Sequence, residues 1–167
     1  MKINGDILFK ETQHFRVQWL WWLIGLCILT STGVTIALAI ADKQKSAEPW
    51  IVLAIMIPVE AAVLYFFYIT RLETVISTEG LFFKWWPFQP SYKFISPLQI
   101  KKAYLRTGPK LSYGCHWSFR YGTVLNLAPG KGIQLTLKNG RRFFLGTQKS
   151  SAFQTALDKI MTVSGQV

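Results

Sequence analysis

Residues 17–70 read VQWLWWLIGLCILTSTGVTIALAIADKQKSAEPWIVLAIMIPVEAAVLYFFYIT, and this stretch decides the fold. It holds two apolar segments, 17–41 and 49–70, on either side of the short polar link 42–48. A helix rises about 1.5 Å per residue and the hydrocarbon core of a bilayer is about 30 Å thick. Each segment is therefore long enough to cross a membrane as a helix.

The short link predicts a tight antiparallel hairpin with both outer ends on one side of the membrane. The link is neutral in charge, whereas basic residues flank the outer ends. By the positive-inside rule, both termini are predicted to be cytoplasmic, in a multi-pass protein of the inner (cytoplasmic) membrane. A cleaved signal peptide is the alternative, because Ala39-Ile40-Ala41 before Asp42 has the pattern of a cleavage site. The flanking basic residues are Lys2, Lys10, Arg16 and Arg71.

Charge is distributed unevenly along the chain, whose formal net charge is +11. Residues 1–70 hold five basic and five acidic side chains, whereas residues 71–167 hold fourteen basic and three acidic ones. Such a surface favours anionic lipid or nucleic acid. Because the membrane segments tether this region to a bilayer, we predict anionic lipid as a non-specific partner and no nucleic acid.

The hydrophobic pattern after residue 70 changes to the two-residue alternation of strands. Its clearest part is a hairpin over 133–137 and 142–145, joined by the turn Asn139-Gly140. An amphipathic helix follows, with an apolar stripe from Phe153 to Met161 and a capping box formed by Ser151 and Gln154. The pattern predicts six or seven strands, curled into a partly open barrel, and one C-terminal helix. Further strands are predicted at 73–77, 81–86, 100–107 and 123–128.

The predicted organisation is thus α+β, with an N-terminal cytoplasmic segment (1–16), a transmembrane hairpin (17–70) and a cytoplasmic β domain (71–167). The order of strands followed by one helix matches the pleckstrin-homology (PH) superfold. Residues 95–157 resemble a family of mostly uncharacterised bacterial PH-like membrane proteins, in which two transmembrane helices precede the domain. The resemblance implies a PH-like fold and no catalytic residues. It is carried by Ile95-Ser96-Pro97, Ile100-Lys101-Lys102-Ala103-Tyr104, Tyr113-Gly114, Arg120-Tyr121-Gly122, Gly132-Ile133-Gln134-Leu135 and Phe144-Leu145-Gly146-Thr147-Gln148.

The sequence contains no recognisable catalytic constellation. His14 and His116 lie far from any nucleophile motif, and Cys115 with His116 supplies fewer ligands than a zinc site needs. The three acidic residues of the β domain are scattered, which leaves too little for paired-carboxylate catalysis. We therefore predict a protein that is not an enzyme and has no cofactor or metal.

Two kinds of surface residue in the β domain are candidates for binding. The segment 81–88 is apolar and aromatic on both faces of its predicted strand, so one face can fill the barrel and the other needs a cover. That other face either dips into the membrane interface or holds a partner, and the second alternative makes it a docking surface. Basic side chains are predicted to face anionic lipid. The docking candidates are Phe82, Trp85, Trp86 and Phe88, and the basic candidates are Lys101, Lys102, Arg106, Arg141 and Arg142.

Glu60 lies near the middle of the second apolar segment, where an ionisable side chain is costly and usually has a purpose. In an antiparallel hairpin its depth corresponds to the hydroxyl-rich part of the first segment, at Thr30, Ser31, Thr32 and Thr35. One interpretation is a protonated Glu60 satisfied by these hydroxyls. The other is a contact to a second subunit or a proton path.

These patterns together predict a non-enzymatic, membrane-anchored interaction module. Its expected role is that of an accessory or regulatory subunit that presents a PH-like domain at the cytoplasmic membrane face. The expected partner is another membrane protein or a second copy of the chain. The alternative is a component of a transporter or proton-coupled complex that uses Glu60.

Overall fold

The computed structural model of this chain describes residues 3, 5–41, 47–108, 113–127 and 130–163. It is an α+β structure with two long apolar helices, followed by most of its strands and by a C-terminal helix. The elements, labelled in chain order, are β1 (Ile7–His14), α1 (Gln18–Ala41), α2 (Glu48–Ile69), β2 (Arg71–Ser77), β3 (Gly80–Trp86), β4 (Gln89–Ile95), a 3₁₀ turn (Pro97–Gln99), β5 (Ile100–Thr107), β6 (Gly114–Ser118), β7 (Gly122–Asn126), β8 (Lys131–Leu137), β9 (Arg142–Gly146) and α3 (Ser150–Val163).

The chain divides into two compact units. The helical unit, Arg16–Ile69, holds α1 and α2, whose bounds agree with the predicted segments 17–41 and 49–70. Both helices are long and apolar enough to cross a membrane. They are apolar on all sides, and most of their large side chains are exposed, as expected for helices that lie in lipid rather than in a protein core.

The other unit, the β unit, combines Met1–Phe15 with Thr70–Val167. Its first sheet has the strand order β1-β2-β3-β4, with every neighbouring pair antiparallel. The sequence pattern predicts a separate segment for residues 1–16 and no strand within it. In the structure β1 is instead an edge strand of this sheet, so the β unit is built from both sides of the helical hairpin.

The β1–β2 ladder runs up to the point where the helices begin and end. His14 pairs with Arg71, and the Phe15 amide donates a hydrogen bond to the Thr70 carbonyl at 3.3 Å. Only residues 15–17 separate β1 from α1, and only Thr70 separates α2 from β2. The hairpin is therefore an insertion into the connection between two paired strands.

The second sheet has the order β5-β8-β9-β7-β6 and is antiparallel apart from the parallel pair β7–β9. Its centre is the predicted hairpin, observed as β8 and β9 with Gly140 at a positive φ of 81° in the turn. The described residues thus form nine strands in two sheets, where six or seven in one curled sheet were predicted. Strands β1, β4 and β6 were not predicted.

The core of the β unit lies between the two sheets and under α3. Phe83 of β3 faces Phe143 of β9 with ring centroids 6.2 Å apart, and Phe9 of β1 stacks on Phe153 of α3 at 5.1 Å. The predicted apolar stripe of α3 is confirmed, because Phe153, Ala156, Leu157 and Ile160 are buried. Burying one such large apolar side chain stabilises the fold by about 1.5–3 kcal/mol.

The start of α3 differs from the prediction. The helix begins at Ser150, whereas a capping box with Ser151 as the N-cap residue requires Ala152 to be the first helical residue. Gln154 does not reach back to Ser151, since its amide nitrogen donates to Asp158 at 2.7 Å and its amide oxygen is buried without a described partner. The predicted capping box is therefore wrong. The Lys149 amide, just before the helix, bonds the Thr147 hydroxyl at 3.0 Å.

Polar side chains of the N-terminal strand β1 form hydrogen bonds with the segment between β9 and α3. The buried Glu11 carboxylate accepts hydrogen bonds from the Thr147 hydroxyl and from the Gln148 amide, the latter at 2.8 Å. Gln13 is also buried and donates to the Gly146 carbonyl at 2.6 Å. These bonds tie β1 to the segment that leads from β9 into α3, more than 130 residues away.

Candidate functional site

Glu60 forms a polar cluster with α1 inside the helical unit. The Ser31 hydroxyl lies 2.8 Å from Glu60 Oε1, and the Thr32 hydroxyl lies 3.1 Å from Oε2. Ser31 Oγ is also 2.8 Å from the Cys27 carbonyl and 3.1 Å from the Ile28 carbonyl, so its single proton is shared among three acceptors. A proton on Glu60 would allow the carboxyl group to donate to Ser31 while Ser31 donates to Cys27.

The other two hydroxyls named from the sequence do not join this cluster in the structure. Thr30 donates to the backbone carbonyls of Leu26 and Cys27, at 2.9 and 3.0 Å, and Thr35 donates to the Ser31 carbonyl at 2.9 Å. Such back-bonding to the preceding turn is common for Ser and Thr in helices. Ser31 and Thr32 are thus the hydroxyls that meet Glu60.

The aromatic segment 81–88 divides into core and surface residues. Phe82 and Trp85 are 1% and 5% exposed, so neither is available for docking. Phe82 packs on Phe94 of β4 at 4.9 Å, which supplies the cover that the sequence left unidentified. Trp86 and Phe88 are 37% and 68% exposed and remain candidates. Phe82 and Trp85 were wrong as docking residues because β4, which covers part of this segment, was not predicted.

The acidic residue Glu73 of β2 belongs to a satisfied ion-pair cluster. It lies 3.0 Å from both Arg71 and Lys84 and accepts a hydrogen bond from the Tyr92 hydroxyl at 2.6 Å. Burial alone would raise the pKa of Glu73, but the Tyr92 bond and the cations Lys84 and Arg71 outweigh it and lower that pKa. Burial and the Glu73 carboxylate together raise the pKa of Tyr92 to about 12. A carboxylate held ionised in this way is a poor proton donor or acceptor.

The five basic residues named from the sequence fall into different surroundings. Lys102 and Arg142 both flank Thr136 in the register of the second sheet, so they share one face. Arg106 lies over the ring of Tyr121, 4.2 Å from its centroid, and is used in packing. Lys101 is exposed on β5. Arg141 and Arg142, at the β8–β9 turn, line a cleft.

This cleft, which we call the edge cleft, lies between the two sheets of the β unit. It consists of two adjoining cavities of about 450 Å³ and about 470 Å³, which share Lys93, Arg141 and Phe143. Lys93 comes from β4, an edge strand of the first sheet, and Trp117 from β6, an edge strand of the second. The cleft therefore opens where the two edge strands face each other.

The lining of the edge cleft is basic and aromatic. Four cations line it, namely Lys93, Lys138, Arg141 and Arg142, and no acidic side chain does so among the described residues. Phe143, which is half-buried and lines both cavities, supplies an aromatic wall. At the rim, Trp117 and Phe119 meet edge to face at 4.4 Å and are 62% and 86% exposed. An anion with an apolar part fits such a lining by charge and by polarity.

Sequence reasoning found only part of the edge cleft. It named Arg141 and Arg142 but missed Lys93, Trp117 and Phe119, because β4 and β6 were not predicted. The run of aromatic and basic residues in Trp117-Ser118-Phe119-Arg120-Tyr121 is a sequence signal that could have found Trp117 and Phe119, whereas Lys93 has no such signal. Cys115 and His116 are adjacent on β6, and the described part of the chain holds no cluster of three potential metal ligands.

Comparison with known proteins gave no match of any kind: no family model, no curated protein and no solved structure is similar to this chain.

Proposed function

We propose that this protein is a non-enzymatic, membrane-anchored interaction module that holds a PH-like β domain at the cytoplasmic face of the inner membrane. The observation that carries the proposal is the pairing of β1 with β2 across the inserted helical hairpin. A hairpin that leaves the β unit at β1 must return to it at β2. Both helices therefore serve to attach one folded unit to the bilayer.

The basic charge of the segments that flank the helices supports the proposal that the β unit lies on the cytoplasmic side. The β unit carries most of the basic side chains of the chain, and basic regions next to membrane helices are retained in the cytoplasm. The placement of α3 after the last strand supports the PH-like assignment. An accessory or regulatory subunit of a membrane assembly is the role that such a module suits, because its described surface presents exposed aromatic and basic side chains to a partner.

The partner surface is proposed to be the exposed pair Trp86 and Phe88. Large aromatic side chains are enriched at protein interfaces and often contribute most of the binding energy. The partner is another membrane protein or a second copy of the chain.

Site-specific photo-crosslinking in native membranes tests this proposal. A photoreactive residue in place of Phe88 is expected to give one discrete crosslinked protein band, and the same residue in place of the exposed Tyr104 on β5 serves as the control. Replacing Trp86 with Ser is expected to weaken the band at position 88. Crosslinks to lipid alone, or equal bands at both positions, would contradict the proposed interaction role.

A second candidate function is favoured by the Glu60 cluster. A transporter or proton-coupled complex commonly places a carboxyl group and hydroxyls at the middle of its membrane helices. The contacts of Glu60 with Ser31 and Thr32 supply these groups within one chain. The substitution of Glu60 described in the Discussion distinguishes this candidate from a purely structural role.

A further inference from the structure

We infer that the edge cleft binds the headgroup of an anionic phospholipid, with Lys93 and Arg141 holding the phosphate and with Trp117 and Phe119 contacting the apolar part of the lipid. The inference deepens the proposed function and rests on the proposed membrane anchoring. It assigns to the β unit a defined lipid site in place of a diffuse basic surface.

Charge complementarity is the first argument. Lys93 and Arg141 are shared by both cavities, and Lys138 and Arg142 stand on either side of them. With no acidic group among the described lining residues, a phosphate bound between Lys93 and Arg141 would meet no opposing negative charge from the lining. Arginine can bind phosphate oxygens through two parallel hydrogen bonds, and lysine adds a point charge.

Size and polarity are the second argument. Cavities of about 450 Å³ and about 470 Å³ are within the usual range for small-molecule sites, roughly 300–1,000 Å³. The half-buried ring of Phe143 is an apolar part of the lining of both cavities, and the exposed pair Trp117 and Phe119 lines the second cavity. Phosphate alone would leave this aromatic surface unused, whereas a lipid would cover it.

Local concentration is the third argument. Residues 15–17 join β1 to α1, and Thr70 joins α2 to β2. Three residues span at most about 10 Å, so both links to the helices that are proposed to cross the bilayer are short. A tethered site meets lipid at a high effective concentration. A soluble phosphate compound or an acidic protein segment gains no such advantage.

The test is a titration of the full chain, purified in a neutral detergent, with bound lipid counted by native mass spectrometry. The probes are short-chain phosphatidylglycerol, phosphatidylcholine of the same chain length, and glycerol 3-phosphate. Phosphatidylglycerol is expected to bind most tightly. Phosphatidylcholine that binds equally well, or glycerol 3-phosphate that competes as well as the lipid, would overturn the inference.

The deciding variant is the double substitution Lys93→Gln with Arg141→Gln. It is expected to weaken phosphatidylglycerol binding about thirtyfold, because each cation near an anionic surface contributes about a factor of five. The matched control is Lys131→Gln with Lys159→Gln, which removes the same charge from exposed positions outside the cleft lining and should change binding less than about threefold. Equal losses in the two double variants, or no loss in either, would contradict a defined site.

A second pair of variants separates lipid from other occupants. Lys93→Arg with Arg141→Lys keeps the charge and is expected to keep binding. Trp117→Ser with Phe119→Ser, both at exposed positions, is expected to weaken the lipid but not glycerol 3-phosphate. A hexaglutamate peptide that displaces the lipid more effectively than added phosphatidylglycerol would identify a protein segment as the occupant and overturn the inference. Lipid binding and the crosslink at Phe88 can fail separately, so each proposal is tested on its own.

Discussion

The two interpretations of the helical hairpin differ in the role that they give to the carboxyl group of Glu60. Hydrogen bonds between membrane helices contribute only about 0.6–2 kcal/mol each, which suits a structural contact. Ser31 and Thr32 already meet both carboxyl oxygens within the hairpin. Pro58, two residues before Glu60 in α2, lacks an amide donor and frees a backbone carbonyl, which raises the local polarity further.

We predict that Glu60→Gln retains the hairpin contact and that Glu60→Leu loses it. Glutamine keeps an oxygen that can accept from Ser31 or Thr32, whereas leucine removes both bonds, at a cost of about 1–3 kcal/mol. Thermal unfolding of the full chain in detergent and recovery of its complex are the measurements. Val59→Leu, at a neighbouring exposed position, is the control.

Three outcomes are distinguishable for these variants. Retained assembly and activity with both substitutions would show that Glu60 has no functional role. Loss with leucine alone would identify hydrogen bonding as the role. Loss with both would support an ionised partner or a proton path, and would favour the transporter component over the interaction module.

At the scale of elements, β1 shows why part of the fold could not be read from the sequence. A half-buried strand usually alternates apolar and polar side chains, with the apolar ones turned inward. In β1 the inward positions include Glu11 and Gln13, whose burial depends on partners in the segment 146–148. The pattern of β1 therefore resembles a solvent-exposed segment until its distant partners are known.

The elements that were predicted correctly have local signals. The two apolar helices follow from length and hydropathy, the β8–β9 hairpin from its Asn139-Gly140 turn, and α3 from its apolar stripe. The strands that were missed, β1, β4 and β6, all lie at sheet edges, where alternation is weakest. Because the edge cleft is built from β4 and β6, half of that candidate site was missed with them.

We predict that Glu11→Ala destabilises the β unit by about 2–4 kcal/mol, because it leaves the Thr147 hydroxyl and the Gln148 amide without their partner in a largely buried place. Lys10→Ala, at the exposed neighbouring position of the same strand, should change stability by less than about 0.5 kcal/mol. Chemical unfolding of the full chain, with hydrogen exchange of the β1 amides, measures both. Equal effects of the two substitutions would show that the hydrogen bonds of Glu11 do not hold β1 in the β unit.

At the scale of the whole molecule, the β unit is formed by chain segments on both sides of the helical hairpin, and this restricts the membrane topology. The strands β1 and β2 pair with each other, and the apolar helices lie between them in the chain. If the helices cross the bilayer, the segments before α1 and after α2 must stand on the same side. Charge then decides which side that is, because Lys2, Lys10, Arg16 and Arg71 flank the outer ends of the two helices, whereas the link holds only Lys43 and Lys45.

Reporter fusions measure this topology most directly. Reporters active only in the cytoplasm or only outside it are fused before Met1, after Val167 and within the link at Gln44. The account predicts a cytoplasmic signal at both ends and an external signal at the link. An external signal from the reporter after Val167 would contradict the cytoplasmic assignment, and opposite signals at the two ends would contradict the β unit built from both sides of the hairpin.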